Sequence, residues 1–437
     1  MIRRETVEAN ESSLQYYGWR ILAASLLGMV LSPGPLIFGS LGVVLASIQQ
    51  EFGWGRAELM LSLSFFTFSS IVAAPIVGRL IDRFGAREIL LPSVAILALT
   101  LVIIPFTLGS LTTFYAATSL AGFVSTGAQS ISYVRVLSSW FEVKRGLAIG
   151  IAASGIGLGY MIMPLLVQTI LSLSDWQTAY YVLAGLLILL PLPVLGATIR
   201  NEPQKLPQPG RVNHGANTVS TVALRGLSAS EALRTKDFWL MTTGLTIMSM
   251  FLTGLVPHMV PLLKDGGLSA SRAAIVASLM GLSTFFGRIL AGYLLDKIFA
   301  PVVAICFFGV ASLGLGLLSA FDSGPLVYVA AFMIGLGFGA ESDLIGYLVG
   351  RYFGLKSFAQ IYGYALAGFL FGAGVGPYLL GIGFEHWGSY TYILSLACGM
   401  SVLACVLFGF IGPYPDFSEP KTEDAGSGSA ADDQCKA

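Results

Sequence analysis

One basic and two acidic residues lie deep inside apolar stretches of this 437-residue chain. Arg288 stands eight residues before Asp296, the next charged residue, a rise of about 12 Å if the stretch is helical. Glu341 and Asp343 stand ten and eight residues before Arg351, at a similar depth. A guanidinium stays charged and binds a carboxylate through two parallel hydrogen bonds. Arg288 is therefore predicted to bind a carboxylate, either that of a small molecule or that of an acidic residue in a structural ion pair.

The two acidic residues are separated by two positions, so they point to widely different sides of a helix. Asp343 shares a face with Tyr347, whereas Glu341 occupies the position that an internal repeat fills with Gln129. A carboxylate that is withdrawn from water can take up a proton. Both acids are therefore candidates for proton coupling, and the alternative is a fixed partner for Arg288 or for helix backbone.

Other polar side chains mark the remaining candidate binding positions, and His258 among them can titrate near neutral pH or simply pack. With Arg288, the predicted substrate-binding residues are Tyr115, Gln129, His258, Tyr347 and Tyr362. The three histidines are scattered along the chain, and no cluster of acidic and histidine residues has metal-ligand spacing. We therefore predict no metal, no cofactor and no catalytic set.

The composition shows which elements must position these residues. Apolar residues make up 55% of the chain and charged residues only 11%, far below the share of about 25% in soluble domains, which excludes a soluble enzyme. Lys plus Arg and Asp plus Glu both total 24, so no basic excess is available for nucleic acid. A membrane helix needs about 20 apolar residues. Twelve such runs are present: 21–46, 57–77, 89–108, 113–138, 147–171, 177–199, 237–262, 270–292, 300–320, 325–349, 357–381 and 389–411.

The runs form two repeated halves. Gly127–Ser130 (GAQS) returns as Gly339–Ser342 (GAES) after 212 residues, and the turn at Gly78–Arg83 returns at Gly292–Lys297 after 214. Such repeats predict an all-α membrane protein with twelve transmembrane helices in two pseudo-symmetric six-helix bundles and a site between them. The predicted divisions are an N-terminal bundle at 1–199, a polar linker at 200–236, a C-terminal bundle at 237–411 and a disordered tail at 412–437.

The distribution of basic residues predicts the orientation. Only Arg56, Lys264 and Arg272 fall in odd-numbered connections, whereas most Lys and Arg lie in even-numbered connections, the linker and the terminal segments. Because basic loops stay on the cytoplasmic side, both termini, the linker and the tail are predicted to be cytoplasmic, in a plasma or inner membrane.

The connection between the second and third runs, GRLIDRFGAR at residues 78–87, resembles the signature loop of the major facilitator superfamily. In that family the loop latches the cytoplasmic side in one conformation. The resemblance implies a gating role for six residues. Five lie in this segment, and the sixth lies in the second copy at Gly292–Lys297, which lacks the later glycine. These are Gly78, Asp82, Arg83, Gly85, Arg87 and Asp296.

Two further segments resemble the monocarboxylate-transporter-like and oxalate–formate-antiporter-like branch of that family. They are WFEVKRGLAIG at 140–150 and FGRILAG at 286–292, and the second matches a helix-eight segment that carries a substrate-binding arginine, here Arg288. The sequence departs from the branch in two places: Thr284 stands where an acidic residue is common, and the run 362–377 has no basic residue. A single cation suits a monoanion better than a dianion.

The predicted function is therefore secondary active transport of a small carboxylate by alternating access, with proton coupling or exchange. The expected partners are a small organic anion, membrane lipid and protons, and the expected functional unit is a monomer. One alternative is a carrier of a sugar or a drug in which Arg288 is structural. A membrane enzyme or a receptor is the alternative of another class, and uptake of a labelled solute into vesicles would distinguish a carrier from either.

Overall fold

The computed structural model of the protein describes Ser13 and residues 16–141, 144–201, 226–321, 323–354 and 356–415. The predicted lead-in, most of the linker and most of the tail lie outside these residues. The first half consists of α1 (Tyr17–Phe52), α2 (Arg56–Phe84), α3 (Ala86–Thr107), α4 in two pieces (Leu111–Ser125 and Ser130–Trp140), α5 (Arg145–Leu173) and α6 (Trp176–Thr198).

The second half repeats this arrangement after a one-turn helix, Ala229–Ala232. It consists of α7 (Lys236–Asp265), α8 (Ala270–Leu295), α9 (Ala300–Ala320), α10 (Leu326–Phe353), α11 (Phe358–Trp387) and α12 (Thr391–Gly409). Within the described residues, eleven of these helices are long and apolar enough to cross a membrane. The twelfth is α4, whose two pieces are each too short.

The break in α4 differs from the continuous run expected at 113–138. The hydroxyl of Thr126 donates to the carbonyl oxygen of Gly122 at 2.8 Å, and that of Ser132 donates to Gly127 at 2.6 Å. These side chains satisfy backbone carbonyls next to the break. Gln129 then adopts an extended conformation with φ −84° and ψ −179°, so the chain changes direction at the predicted site residue.

A second interruption lies in α1. Residues Gly34–Phe38 form a π turn that begins directly after Pro33. Pro33 and Pro35 have no backbone N–H, so the regular hydrogen-bond pattern of an α-helix cannot continue through them. The widened turn lies about halfway along the helix, where it faces α5.

The two halves use the same packing pairs. In the first half α1 packs on α5, α2 on α4 and α3 on α6; in the second half α7 packs on α11, α8 on α10 and α9 on α12. Two of the contacts that join the halves are those of α2 with α11 and of α5 with α8. These contacts are equivalent under the repeat, because α2 corresponds to α8 and α5 corresponds to α11. The internal sequence repeat is thus reproduced as a two-fold related bundle.

The bundle has two ends, which we name by the connections that they carry. The linker side carries the ends of α6 at Thr198 and of α7 at Lys236, and the far side carries the loops at 53–55, 108–110, 174–175, 266–269, 323–325 and 388–390. Each helix crosses from one side to the other.

Very close helix contact fixes the position of α8. A Cβ atom added to Gly335 of α10 would lie 1.9 Å from Ser283 Oγ and 2.2 Å from the carbonyl oxygen of Met280. One added to Gly281 would lie 2.2 Å from the backbone nitrogen of Met161 in α5. Glycine therefore allows α8 to lie against both α5 and α10, as small residues do in other membrane bundles.

We predict that Gly335→Ala lowers the melting temperature of the purified protein in detergent. The added methyl group forces α8 and α10 apart, and overpacking of this kind costs about 1–3 kcal/mol. Gly309→Ala in α9 is the matched control, because no atom outside its own helix lies within 4 Å of the added Cβ. Equal melting temperatures for the two variants would contradict the close-contact account.

Candidate functional site

Arg288 lies between the two halves, about two turns from the linker-side end of α8. Its Nη1 donates to the carbonyl oxygen of Ala153 in α5 at 2.8 Å, and its Nη2 donates to Ser342 Oγ in α10 at 2.5 Å. The side chain is only 11% exposed. The guanidinium thus joins α8 and α10 of the second half to α5 of the first.

Asp343 supplies the negative charge. Its Oδ2 lies 3.4 Å from Arg288 Nε, and its Oδ1 accepts a hydrogen bond from Ser342 Oγ at 3.4 Å. Both distances are long for hydrogen bonds, so the pair is an ion pair of loose geometry. The Asp343 side chain is 36% exposed, so this carboxylate is partly accessible to water.

Glu341 points in another direction and is almost completely buried, with 1% exposure. Thr253 Oγ1 of α7 donates to its Oε1 at 3.2 Å. Its Oε2 has no hydrogen-bond partner among the described residues. The two acids therefore occupy different environments, as their two-residue separation predicts.

Tyr160 of α5 is the first-half residue that sequence reasoning missed. Its buried ring makes an edge contact with Phe338 at a centroid distance of 5.4 Å, and it interacts electrostatically with both Glu341 and Arg288. A Cβ atom added to Gly34, at the π turn of α1, would lie 3.2 Å from the Tyr160 hydroxyl. The neighbourhood of this side chain is set by tertiary packing, and no local motif signals it.

The other predicted binding residues are spread over the molecule. We call Arg288, Ser342 and Asp343 the Arg288 cluster. Tyr362 interacts electrostatically with Asp343, so it lies near this cluster, whereas Tyr347 lies closer to the linker side and interacts with Arg351. Gln129 Nε2 donates to Ser70 Oγ at 3.4 Å within the first half.

Two predicted residues lie on the far side instead. Tyr115 donates its hydroxyl hydrogen to the carbonyl oxygen of Glu58 at 2.9 Å. His258 is buried between Pro377 and Tyr390. Neither residue belongs to the Arg288 cluster in this conformation.

Thr284 stands one turn before Arg288, where the related branch often has an acidic residue. Its hydroxyl donates to the carbonyl oxygen of Met280 in its own helix at 2.8 Å. The carboxylate that pairs with Arg288 thus comes from α10.

In the 78–87 segment, α2 continues to Phe84, and Gly85 alone separates it from α3. Asp82 lies 3.9 Å from Arg135, and the two side chains are 78% and 59% exposed. Arg87 donates through Nη2 to the carbonyl oxygen of Gly196 at 2.6 Å, which ties α3 to α6 within the first half. Gly85 has a φ of 97°, a value that favours glycine at this turn.

The remaining predicted gating residues make few constraining contacts here. Arg83 lies over the ring of Phe84, and a Cβ atom added to Gly78 would meet no atom within 4 Å. Asp296 interacts electrostatically with Tyr347. Their gating role stays a prediction.

The arrangement suits recognition of an anion by charge. Within the described residues, no group of three or more His, Cys, Asp or Glu side chains could hold a metal ion. A carboxylate that entered beside Asp343 could accept hydrogen bonds from the guanidinium of Arg288, which has five N–H donors in a planar fork.

A family model described as the Major Facilitator Superfamily matches residues 21–363 of the chain. Monocarboxylate transporter 6 of Mus musculus is 27% identical over 64% of this chain, and the alignment covers 61% of that protein, less than two thirds of its length. The oxalate:formate antiporter of Oxalobacter formigenes is 26% identical over 86% of this chain and 84% of its own length.

Solved structures give the same fold. A bacterial homologue of the human lysosomal transporter Spinster, in an inward-facing and occupied conformation, matches with a TM-score of 0.69 and 16% identity. The alignment covers 91% of this chain and 97% of that one. At this identity the likeness concerns the fold alone.

We predict that a cysteine at position 343 reacts much faster with a water-soluble maleimide than a cysteine at position 341. The Asp343 side chain is 36% exposed and Glu341 is 1% exposed. The Asp343→Cys and Glu341→Cys variants are compared in nanodiscs, in a background without native cysteines. Equal rates, or faster reaction at position 341, would contradict the described access to the cluster.

Proposed function

The chain belongs to the major facilitator superfamily, and from that premise we propose that it carries a small carboxylate by alternating access. It is an integral multi-pass membrane protein whose fold is that of a transporter rather than an enzyme. The proposed cargo is a monoanion, because Arg288 brings only one positive charge to the centre of the bundle.

The observation that carries the proposal is the position of Arg288 between the halves. Its guanidinium reaches α5 through Ala153 and α10 through Ser342, and it faces an acid that solvent can reach. A substrate carboxylate that replaced Asp343 on the guanidinium would contact a side chain that joins the two halves. Binding and relative movement of the halves would then be linked, since a ligand shifts a conformational equilibrium by its differential affinity for the two states.

The names of similar proteins support the same substrate class. The murine relative is named a monocarboxylate transporter, and the bacterial relative is named an oxalate:formate antiporter. The single cation and the absence of basic residues from 362–377 favour a monocarboxylate over oxalate.

The proposed orientation places the linker side in the cytoplasm, because basic residues concentrate there. The site would then open inward, since Asp343 is partly exposed whereas α2 and α11 are in contact towards the far side. Ser64 Oγ donates to the carbonyl oxygen of Gly374 at 2.6 Å across that contact.

Coupling to protons would follow from displacement of Asp343. In the unloaded site its charge is balanced by Arg288. A substrate carboxylate that takes over the guanidinium leaves Asp343 without a counter-charge, and a proton would restore neutrality. Glu341 is the second candidate, because one of its buried oxygens has no partner among the described residues.

A second candidate function is transport of an uncharged solute. The ion pair with Asp343 already neutralises Arg288, so the arginine could be structural. In that case Tyr160, Tyr362 and Gln129 would supply the hydrogen bonds to a sugar or a drug.

We predict that Arg288→Lys slows counterflow of labelled short-chain monocarboxylates in proteoliposomes by about tenfold to a hundredfold. Lysine keeps the charge but loses the planar fork, and a hydrogen bond to a charged group contributes about 1.5–3 kcal/mol. Arg272→Lys is the matched control, because Arg272 is an exposed far-side arginine.

The melting temperature of each variant separates a transport defect from a folding defect. A well-folded Arg288→Lys variant that transports at the rate of the unmodified protein would refute the role of the guanidinium in carboxylate binding.

We predict further that Asp343→Asn retains exchange of labelled substrate but loses accumulation driven by a pH gradient. The amide imitates the protonated acid and cannot release a proton. Glu341→Gln is measured in parallel, and it is expected to keep both activities. The reverse result would assign coupling to Glu341, and accumulation in both variants would exclude both acids as coupling sites.

A further inference from the structure

One arginine crosses from the first half to the second at the far side. Arg56, at the start of α2, places Nη1 2.6 Å from Asp265 Oδ2 and 3.1 Å from the Tyr390 hydroxyl. Its guanidinium carbon lies 3.8 Å from the centroid of the Phe384 ring. The side chain is 11% exposed. We call Arg56, Asp265, Phe384 and Tyr390 the far-side latch.

A second contact lies beside the latch and crosses the same boundary. Glu385 Oε1 of α11 accepts a hydrogen bond from the backbone nitrogen of Ala57 at 2.8 Å. A Cβ atom added to Gly381 would lie 2.8 Å from the Ala57 Cα atom. The halves are therefore in close contact at this level, and the far side cannot open unless Arg56 leaves its partners.

Behind the latch, His258 is completely buried and both of its ring nitrogens are engaged. Nε2 lies 2.8 Å from the carbonyl oxygen of Pro377, and Nδ1 lies 2.6 Å from the Tyr390 hydroxyl. A carbonyl oxygen can only accept, so Nε2 carries the hydrogen and donates it. In a neutral ring Nδ1 then accepts, and Tyr390 must be the donor.

These assignments give a chain of hydrogen bonds with one direction. Arg56 donates to Tyr390, Tyr390 donates to His258, and His258 donates to Pro377 in α11. The hydroxyl orientation of Tyr390 is thereby fixed, and its oxygen lone pairs face Arg56. A neutral His258 therefore positions the tyrosine that holds the latch.

A second proton on the His258 ring is incompatible with these hydrogen-bond directions. Both ring nitrogens would be donors, so Tyr390 could no longer donate to Nδ1. The ring would also carry a positive charge close to Arg56, with which it interacts electrostatically. Asp265 is the acidic group in this network, and it is already engaged by Arg56. From α1, the neighbouring residue is the uncharged Gly42, which packs on Pro257.

We propose that His258 is a positioning residue that keeps the far-side latch closed only while its ring is neutral, so that acidification favours opening of the far side. The proposal rests on alternating access, as the proposed function does, but it requires no particular substrate. Its test therefore needs no transported solute. The latch proposal can fail while carboxylate transport is confirmed, and carboxylate transport can fail while the latch proposal is confirmed.

The experiment measures access to a buried position at the boundary of the halves. Ser64→Cys is a conservative reporter, because Ser64 is 4% exposed and bonds across the boundary to Gly374. It is introduced into protein whose four native cysteines are replaced by alanine. The purified protein in nanodiscs reacts with a membrane-impermeant maleimide at several pH values. Each rate is divided by that of Ser323→Cys on an exposed far-side loop, which removes the pH dependence of thiol reactivity.

We expect the normalised rate to rise about tenfold between about pH 7.5 and pH 5.5, because each proton bound to the open state shifts the equilibrium by mass action. His258→Gln is expected to react slowly at every pH, since its amide can both donate and accept a hydrogen bond but does not titrate. Tyr390→Phe is expected to react fast at every pH, because it keeps the ring and removes the hydroxyl. Arg272→Ala, a variant outside the latch, should keep the pH profile of the parent.

A flat profile in the parent would overturn the proposal. The same pH-dependent profile in His258→Gln would overturn it too, because another group would then be titrating. Tyr390→Phe gives an independent test if His258→Gln does not fold, since it leaves the imidazole in place: a pH-dependent rise that survives in Tyr390→Phe would show that His258 does not act through Tyr390.

Discussion

A guanidinium in the middle of an apolar bundle must be surrounded by acceptors, because an unpaired charge there is far less stable than one in water. At Arg288 these acceptors come from two helices, α5 and α10, one in each half of the molecule. Asp343 supplies the charge, Ser342 a hydroxyl and Ala153 a backbone carbonyl. The bundle is therefore organised at its centre by an interaction that a substrate carboxylate could replace.

That interaction depends on how closely the helices approach. Gly281 and Gly335 bring α8 against the backbones of α5 and α10, and larger side chains at these positions would move Arg288 away from Ala153 and Ser342. Small residues thus serve the site indirectly. The far-side latch has the complementary task, because it holds α2 against α7 and α11 while the Arg288 cluster is accessible through Asp343.

The sequence alone predicted the twelve transmembrane helices and the position of Arg288 deep within one of them. Both follow because the thickness of a bilayer requires long apolar runs with charged residues at their ends. The repeat predicted the two-fold packing of the halves. The role of Tyr160 and the partners of His258 could not be predicted, since they depend on which helices meet across the boundary. The break at Gln129 depends on hydroxyl bonds to backbone that no periodicity records.

Glu341 and Asp343 show what residue spacing can predict and what it cannot. The spacing of Glu341 and Asp343 predicted different surroundings, and the structure assigns Asp343 to Arg288 and Glu341 to Thr253. Which of them faces Arg288 follows from the rotation of α10, which is set by its contacts with α8 and α9.

The most direct test of the account compares a labelled monocarboxylate with its uncharged amide in counterflow assays on proteoliposomes. The two solutes have nearly the same size and shape, and only the acid can form the charge-assisted bonds that Arg288 offers. The account predicts saturable counterflow of one or more short-chain monocarboxylates and none of the matching amides. Equal counterflow of acid and amide, or flux of sugars with none of any carboxylate, would contradict it.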